Sequence, residues 1–257
     1  LQTRRGESPT TTPAVRRAGT AEALIGPTHR LTARILLASS TGEHPRRESR
    51  NRSSALSMSD FAFAHISDLH LPFEPRLSLR QHFSKRQLSV WSWRRRGEVQ
   101  SDHILAALKR DLHDHAIDHV LLTGDITNFS LPGEFRHAAG WLSALAPADR
   151  ISLVPGNHDA LVPVPATEGI GQWDAWTRLD RGWPFAHRVR NVTLIGLNSA
   201  LPTAPLLARG RLGPHQLEQL ERMLTDEGAA GRVRIVMLHH PAARGAIGWR
   251  KALADGD

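Results

Sequence analysis

An α/β fold carrying a metal site at the rim of a sheet is predicted by three features of the sequence. Short apolar runs alternate with amphipathic helical stretches, the pattern of strands joined through helices. Four of the runs end in Asp, Asn or His, at residues 67–70, 124–128, 156–159 and 239–241. The densest ending, Gly156-Asn157-His158-Asp159, follows the apolar run 151–155 and turns sharply at Pro155 and Gly156. An amide, an imidazole and a carboxylate in succession are rejected by an apolar core unless they are paired or bound to metal. In open α/β sheets, ligands bind outside the carboxyl ends of the strands, where all four groups fall.

From the amino end, residues 1–57 hold ten Arg against Glu7, Glu22, Glu43 and Glu48, with few large apolar side chains outside 31–37. So little apolar surface cannot offset ordering entropy, and this basic extension is predicted to be disordered and separate from a domain over 58–257. It reads as an upstream extension outside the working protein, or as an Arg-rich targeting peptide. Residues 61–66 form the first strand and deliver Asp68 and His70; His65, inside it, reads as a satisfied sheet histidine. An insertion over 73–97 follows, with Phe83, Trp91, Trp93 and Arg94-Arg95-Arg96. It reads either as a surface helical hairpin packed on the body or as a roof over the site, because it leaves the carboxyl end of a site-bearing strand. As a roof, its aromatic and Arg side chains suit a phosphorylated or acyl-chain substrate.

A helix over 98–115 places Ile104, Leu105, Leu108 and Leu112 on one face. His113, His115 and His119 have metal-like spacing, but at a polar helix end they read as a solvated terminus. The strand over 119–122 delivers Asp125 and Asn128, and a helix over 132–145 starts with Pro132 in its first turn. Beyond the 151–155 strand, residues 192–197 form another, continuous in Val, Leu and Ile. A helix over 214–225 begins at Pro214 and is stopped by Gly228. The last strand, 233–238, ends in His239-His240-Pro241.

With 257 residues, 40% of them hydrophobic, the chain suffices for one domain with a sizeable core. The absence of cysteine excludes disulfides, thiolate metal sites and a Cys nucleophile. Six of the eight net positive charges fall in residues 1–57, so the body is nearly balanced and no nucleic-acid partner is expected. The longest uncharged run, 192–208, is broken by Asn198, Pro202 and Pro205, so no transmembrane segment is expected. The N-terminus shows no apolar core of a secretory signal, and a cytoplasmic location is expected. Neither a Gly-x-Ser-x-Gly elbow nor a phosphate-cradling Gly-x-x-x-x-Gly-Lys loop occurs.

Asp68-x-His70, Gly124-Asp125-x-x-Asn128, Gly156-Asn157-His158-Asp159 and His239-His240-Pro241, in this order and each after a strand, resemble the calcineurin-like metallophosphoesterase superfamily. The resemblance covers the chain from about residue 60 onward. It implies a four-layer α/β/β/α sandwich and two divalent metal ions, manganese, iron or zinc, bridging a hydroxide nucleophile. Asp68 and His70 would hold the first metal, Asn157 and His239 the second, and Asp125 both. His158 would meet the leaving-group oxygen or the phosphoryl group, with Asp159 orienting or polarising it. Asn128 reads as a substrate contact and His240 as a neighbour of the ligands.

The implied activity is hydrolysis of a small phosphodiester or phosphomonoester. A cyclic-nucleotide-like substrate is favoured because the body lacks a basic stripe of nucleic-acid size. The alternatives are a lipid-linked pyrophosphate, suggested by the Trp and Arg of the insertion, and a catalytically impaired remnant of the family. The resemblance also implies a Gly-His-x-His motif that gives one imidazole to each metal. No histidine follows His240, so the chain is expected to be truncated, with an incomplete second sheet and weakened metal binding. Residues 249–253 read as the approach to an uncompleted helix.

Overall fold

The strand at His119–Thr123 is buried along its whole length, which requires a layer of structure on each of its faces. The computed structural model describes residues 14–25, 29–39, 61–96, 102–243 and 245–256. In chain order come β1 (Ala14–Ile25), β2 (His29–Ser39), β3 (Phe61–Ser67), α1 (Leu79–His82), α2 (Lys85–Arg96), α3 (Asp102–Asp114) and β4 (His119–Thr123). There follow α4 (Pro132–Ser143), β5 (Ile151–Val154), α5 (Asp174–Thr177), β6 (Phe185–Val189), β7 (Val192–Gly196), α6 (Gly213–Ala229) and β8 (Val233–Met237). One sheet has the order β1-β2-β3-β4-β5 and the other β6-β7-β8. Strands β3, β4 and β5 are parallel, with Ile66 opposite Leu122 and Leu122 opposite Leu153. Their carboxyl ends are therefore level, and the loops that follow emerge side by side.

Alternation along β4 sorts the layers. Val120 and Leu122 join Leu105, Leu108 and Leu112 of α3 and Phe135 and Leu142 of α4 in one core. Leu121 joins Phe61, Phe63 and Val154 against Phe185, Val192, Leu194 and Met237 of the second sheet. Each such side chain, fully buried, contributes about 1.5–3 kcal/mol. On the outer face of the second sheet, Glu227 of α6 accepts from Thr193 Oγ1 at 2.6 Å and is paired with Arg188. The result is the expected α/β/β/α order, a mixed α/β sandwich.

Several elements differ from the sequence reading. Within the extension expected to be disordered, β1 and β2 pair antiparallel, and β2 pairs with β3 from Thr32 opposite Ser67 to Ala38 opposite Phe61. Backbone pairing with an existing strand orders a segment whose own composition does not. The rest of that extension, residues 1–13, 26–28 and 40–57, lies outside the described residues, as do residues 97–101, where the helix after the insertion was expected to begin. Helix α6 passes Gly228 and ends at Ala229; Gly231, with φ 69°, supplies the left-handed turn that stops it. Residues 249–253 form no helix. Instead Gly210 N donates to Ala252 O, and Asp255 accepts from Leu212 N and Gly213 N at the start of α6. Strand β6 was not anticipated.

His119 is also corrected. His113 and His115 are exposed at the end of α3, but His119 is 1% exposed and points between the sheets. Its Nε2 meets Ser152 Oγ at 3.0 Å, and Ser152 Oγ meets His187 Nδ1 at 3.2 Å, which also accepts from Arg178 Nη2 at 2.8 Å. Burial first, then the neighbouring His187, Arg178 and Arg150, lower His119 to about 3; burial and Arg178 lower His187 to about 4. Both folded values lie below the unfolded one, so the unfolded chain binds protons first as pH falls. Their contribution is complete above pH ~6.5 and is lost between there and pH ~3–4. Acidification from about pH 7 to about pH 5 is expected to cost on the order of 2 kcal/mol through His119 alone. His119→Gln should therefore flatten the acid limb of a plot of Tm against pH; an unchanged limb would show that this pair does not govern acid stability.

Candidate metal centre

The site is built where the loops after β3, β4, β5 and β8 meet. Asp68, His70 and Asp125 all adopt left-handed backbone, with φ of 59°, 42° and 55°. Such conformations cost on the order of 1–3 kcal/mol each and persist only where surroundings dictate them. Here the two loops are laced together: Asp68 N donates to Gly124 O at 3.1 Å, His70 N to Asp125 O at 2.9 Å and Leu71 N to Ile126 O at 2.9 Å. Gly124 and Gly156 permit the third loop to close in. A Cβ on Gly124 would collide with the Gly156 main chain, and one on Gly156 with Asp125. Those two glycines are the approach that brings Asn157 and His158 to Asp125.

Every imidazole is oriented by a main-chain carbonyl. His70 Nδ1 donates to Thr127 O at 3.2 Å, His158 Nδ1 to Asn128 O at 2.9 Å and His239 Nδ1 to Thr123 O at 2.7 Å. A carbonyl only accepts, so each ring carries its proton on Nδ1 and turns Nε2 toward the centre. His70 Nε2 lies 3.9 Å and His239 Nε2 3.6 Å from Asp125 Oδ2, and His239 Nε2 lies 3.2 Å from Asn157 Oδ1. Ring nitrogens, carboxylate oxygens and the Asn157 amide oxygen converge there, a donor set that a divalent cation can satisfy together. Two groups have donor atoms mutually within 4.8 Å: His70, Asp125 and His158, and Asp68, Asp125 and His239. Asp125 belongs to both. A set of carboxylates and imidazoles suits the manganese, iron or zinc expected from the sequence.

The charges agree with a cation site. Burial opposes ionisation of Asp125, yet His239, His158 and His70 and the 2.7 Å bond from His158 N hold it well below the usual carboxylate range. Burial first, then the Asp125 charge, raise Asp68. Burial also works against a charged His239, but the Asp125 and Asp68 carboxylates outweigh it and raise its pKa. A cavity of about 310 Å³ opens over these groups, lined by Asp68, Asp125, Asn157, His158, His239 and Lys251 among others.

The family model of the calcineurin-like phosphoesterases matches residues 61–254. The chain belongs to that family. A probable cyclic nucleotide phosphodiesterase from Synechococcus sp. is 28% identical over 181 residues, which cover 70% of this chain and 58% of that relative. The chain thus spans less than two thirds of the length of the relative it matches.

Placed on this family member, the sequence expectations divide. Asp68, His70, Asp125, Asn157, His158 and His239 converge as expected. The donor atoms that lie within 4.8 Å of one another are those of Asp68, Asp125 and His239 and those of His70, Asp125 and His158. His240 is a neighbour and no ligand: its Nε2 donates to Ala208 O at 3.1 Å, its Nδ1 meets Ser199 Oγ at 2.8 Å, and burial lowers it to about 4.

Asp159 and Asn128 are corrected. Asp159 does not orient His158, whose Nδ1 partner is the Asn128 carbonyl. Its Oδ1 accepts from Ile126 N, Thr127 N and Thr127 Oγ1, and its Oδ2 from Asp125 N and Gly156 N. It clamps the loop that carries Asp125. Burial and the Asp125 charge push it up to about 6 against these donors. Asn128 turns its side-chain amide inward, donating to Leu71 O at 2.9 Å, and serves the site through its carbonyl.

Two supports were missed by sequence reasoning. The single hydroxyl hydrogen of Thr127 is shared between His158 O and Asp159 Oδ1, and buried Glu134 accepts from Asn128 N, Phe129 N and Leu131 N. The signal for Glu134 was present, an acid two residues after the Pro that opens α4. Among the described residues, no helix is long and apolar enough to cross a membrane.

Proposed function

We propose that this chain is the metal-binding core of a phosphoric ester hydrolase that acts on a small phosphodiester or phosphomonoester, with a cyclic-nucleotide-like substrate favoured. The observation that carries the reading is the pair of donor groups sharing Asp125 at the carboxyl rim of the sheet. Asp68 and His239 would hold one divalent ion, His70 the other, with Asp125 on both and Asn157 beside His239. When bound, such ions neutralise phosphoryl charge and lower the pKa of water. The chain's own contribution is orientation and proton handling. Water supplies the oxygen of the new P–O bond, the ester P–O bond breaks, and the leaving oxygen takes a proton. His158 Nε2, aimed by the Asn128 carbonyl, is the group proposed to face that oxygen. The name of the Synechococcus relative supports the choice of a cyclic nucleotide. A cytoplasmic location belongs to the same proposal, and fractionation of cells making the natural protein tests it.

Turnover of a chromogenic phosphodiester with added manganese, beside His158→Ala, is the test. The variant is expected to lose roughly 10²–10⁴ in turnover while keeping its metal content. Metal lost along with activity would make His158 a ligand, in line with its place beside His70 and Asp125. No manganese-dependent turnover by the unaltered chain, with metal bound, would favour the impaired remnant. The lipid-linked alternative has one observation behind it. A second cavity of about 410 Å³ shares Asn157 and His158 with the centre and is lined by Lys85, Leu88, Leu206 and Arg250. Preference for a pyrophosphate diester of a long-chain alcohol over cyclic AMP would select it.

A further inference from the structure

The insertion after β3 divides its side chains by direction. Val90 and Trp93 of α2 turn inward onto Phe129 and Leu131, and buried Arg86 donates to Phe129 O and Ser130 O, fixing the helix to the body. Lys85, Leu88, Ser89 and Ser92 line the second cavity, whose opposite bank is Leu206, Leu207, Arg250 and Lys251. Lys85 Nζ reaches across to Thr203 Oγ1 at 2.8 Å and Leu207 O at 2.6 Å, so the two banks are tied together.

The lips of this groove are apolar and open to solvent on both banks. Trp91, one helical turn from Leu88, is 57% exposed; Leu206 is 79% and Trp249 64% exposed, and Phe83, just before α2, is 94% exposed. Large apolar side chains on this scale are not explained by the fold they leave uncovered. Cations are interleaved with them. Arg95 lies 4.5 Å over the Trp91 ring and Arg250 5.5 Å over the Trp249 ring, with Lys251 also lining the groove. No acidic residue occurs from 79 to 96 or from 243 to 253.

We propose that these lips seat the protein on an anionic lipid surface, with the groove leading from that surface to the metal centre. Indole rings paired with guanidinium groups, beside exposed Leu and Phe, match the boundary between headgroups and acyl chains. The aliphatic part enters the chains and the cations meet lipid phosphates. Nucleic acid fits less well. Bases stack on open aromatic faces, but here one face of each Trp is taken by its own Arg, and exposed Leu and Phe add nothing for phosphate. Docking is independent of the hydrolytic reading, because it is measured without turnover.

The test is flotation with phosphatidylcholine vesicles, with and without about a third of phosphatidylglycerol. The unaltered chain should float with the anionic vesicles and stay behind with the neutral ones. Leu88→Ser with Trp91→Ser, and separately Leu206→Ser with Trp249→Ser, should each reduce binding at least about tenfold. Tm should hold in both, since these side chains are largely exposed. No binding by the unaltered chain overturns the proposal. So does binding that neither pair weakens, which would move it to the basic residues 1–57. A dimer in sedimentation that both pairs dissolve would assign the face to a second copy. Displacement of vesicles by single-stranded DNA at equal affinity would assign it to nucleic acid.

Discussion

Asp125→Asn is expected to abolish hydrolysis, by about 10³-fold or more, and to remove bound metal while leaving the fold intact. Asp125 is the one residue present in both donor groups, and its Oδ2 faces His70 Nε2 and His239 Nε2 at 3.9 and 3.6 Å. The substitution keeps an Oδ1 to accept from His158 N, now at 2.7 Å, so the loop retains its tie. It replaces Oδ2 by an amide NH₂, a donor aimed at two ring nitrogens that are themselves acceptors. Hydrogen bonds to those nitrogens then take the place of the cation, and the negative charge that drew it is gone. Metal analysis of the purified variant, beside its turnover and Tm, is the check. Each 1.4 kcal/mol is tenfold, and removal of a shared ligand should weaken transition-state stabilisation by several kcal/mol. Activity above about a tenth of the unaltered level, or full metal content, would defeat the bridging role.

The strand ends were legible because a strand buried on both faces leaves a short, mostly apolar run, and β3, β4, β5 and β7 all have one, while β8 carries exposed Arg234 and Val236 within its run. Chemistry at the ends of such runs has one address in the fold, so Asp68, Asp125, Asn157 and His239 could be placed together before any coordinate. His119 shows the limit. As a residue following a polar helix end it looks solvated, and only the second sheet, brought over it by β6, turns that position into an interior. Strand β6 itself, Phe-Ala-His-Arg-Val, has too few apolar residues to announce a strand; it is ordered by pairing with β7. Strand β2 contains the apolar stretch 31–37, but the Arg-rich composition around it hid both β1 and β2, which join the sheet through the pairing of β2 with β3. Which carbonyl holds which imidazole was illegible in principle, since main-chain oxygens carry no sequence signal. The site's orientation depends on three of them, at Thr123, Thr127 and Asn128.

Asp159→Ala is expected to destabilise the whole domain, and this distinguishes a clamp from the polarising role its position beside His158 suggested. One carboxylate accepts five hydrogen bonds, four of them from the main-chain N–H groups of Asp125, Ile126, Thr127 and Gly156, at 2.8–3.1 Å. Asp159 and its surroundings are buried, with Asp159 at 2%, Ile126 at 0% and Thr127 at 1% exposure. An orphaned buried donor costs about 1–3 kcal/mol, and water entering the cavity left by the side chain recovers only part of that. A net loss of about 3–5 kcal/mol follows, as for breaking a buried charged network, which at roughly 2–4 °C per kcal/mol lowers Tm by about 6–20 °C. The measurement belongs near pH 8, above the value of about 6, where the carboxylate is ionised in both the folded and the unfolded chain and no proton exchange on unfolding enters the comparison. Asp159→Asn should fall between the two, because one of its side-chain groups still accepts while the other sets an NH₂ against N–H donors. His158→Ala supplies the contrast: it deletes the imidazole and leaves the clamp, so its Tm should move little. If Asp159→Ala slowed turnover but melted with the unaltered chain, the carboxylate would be acting on His158 after all, and the clamp would be the wrong account of it.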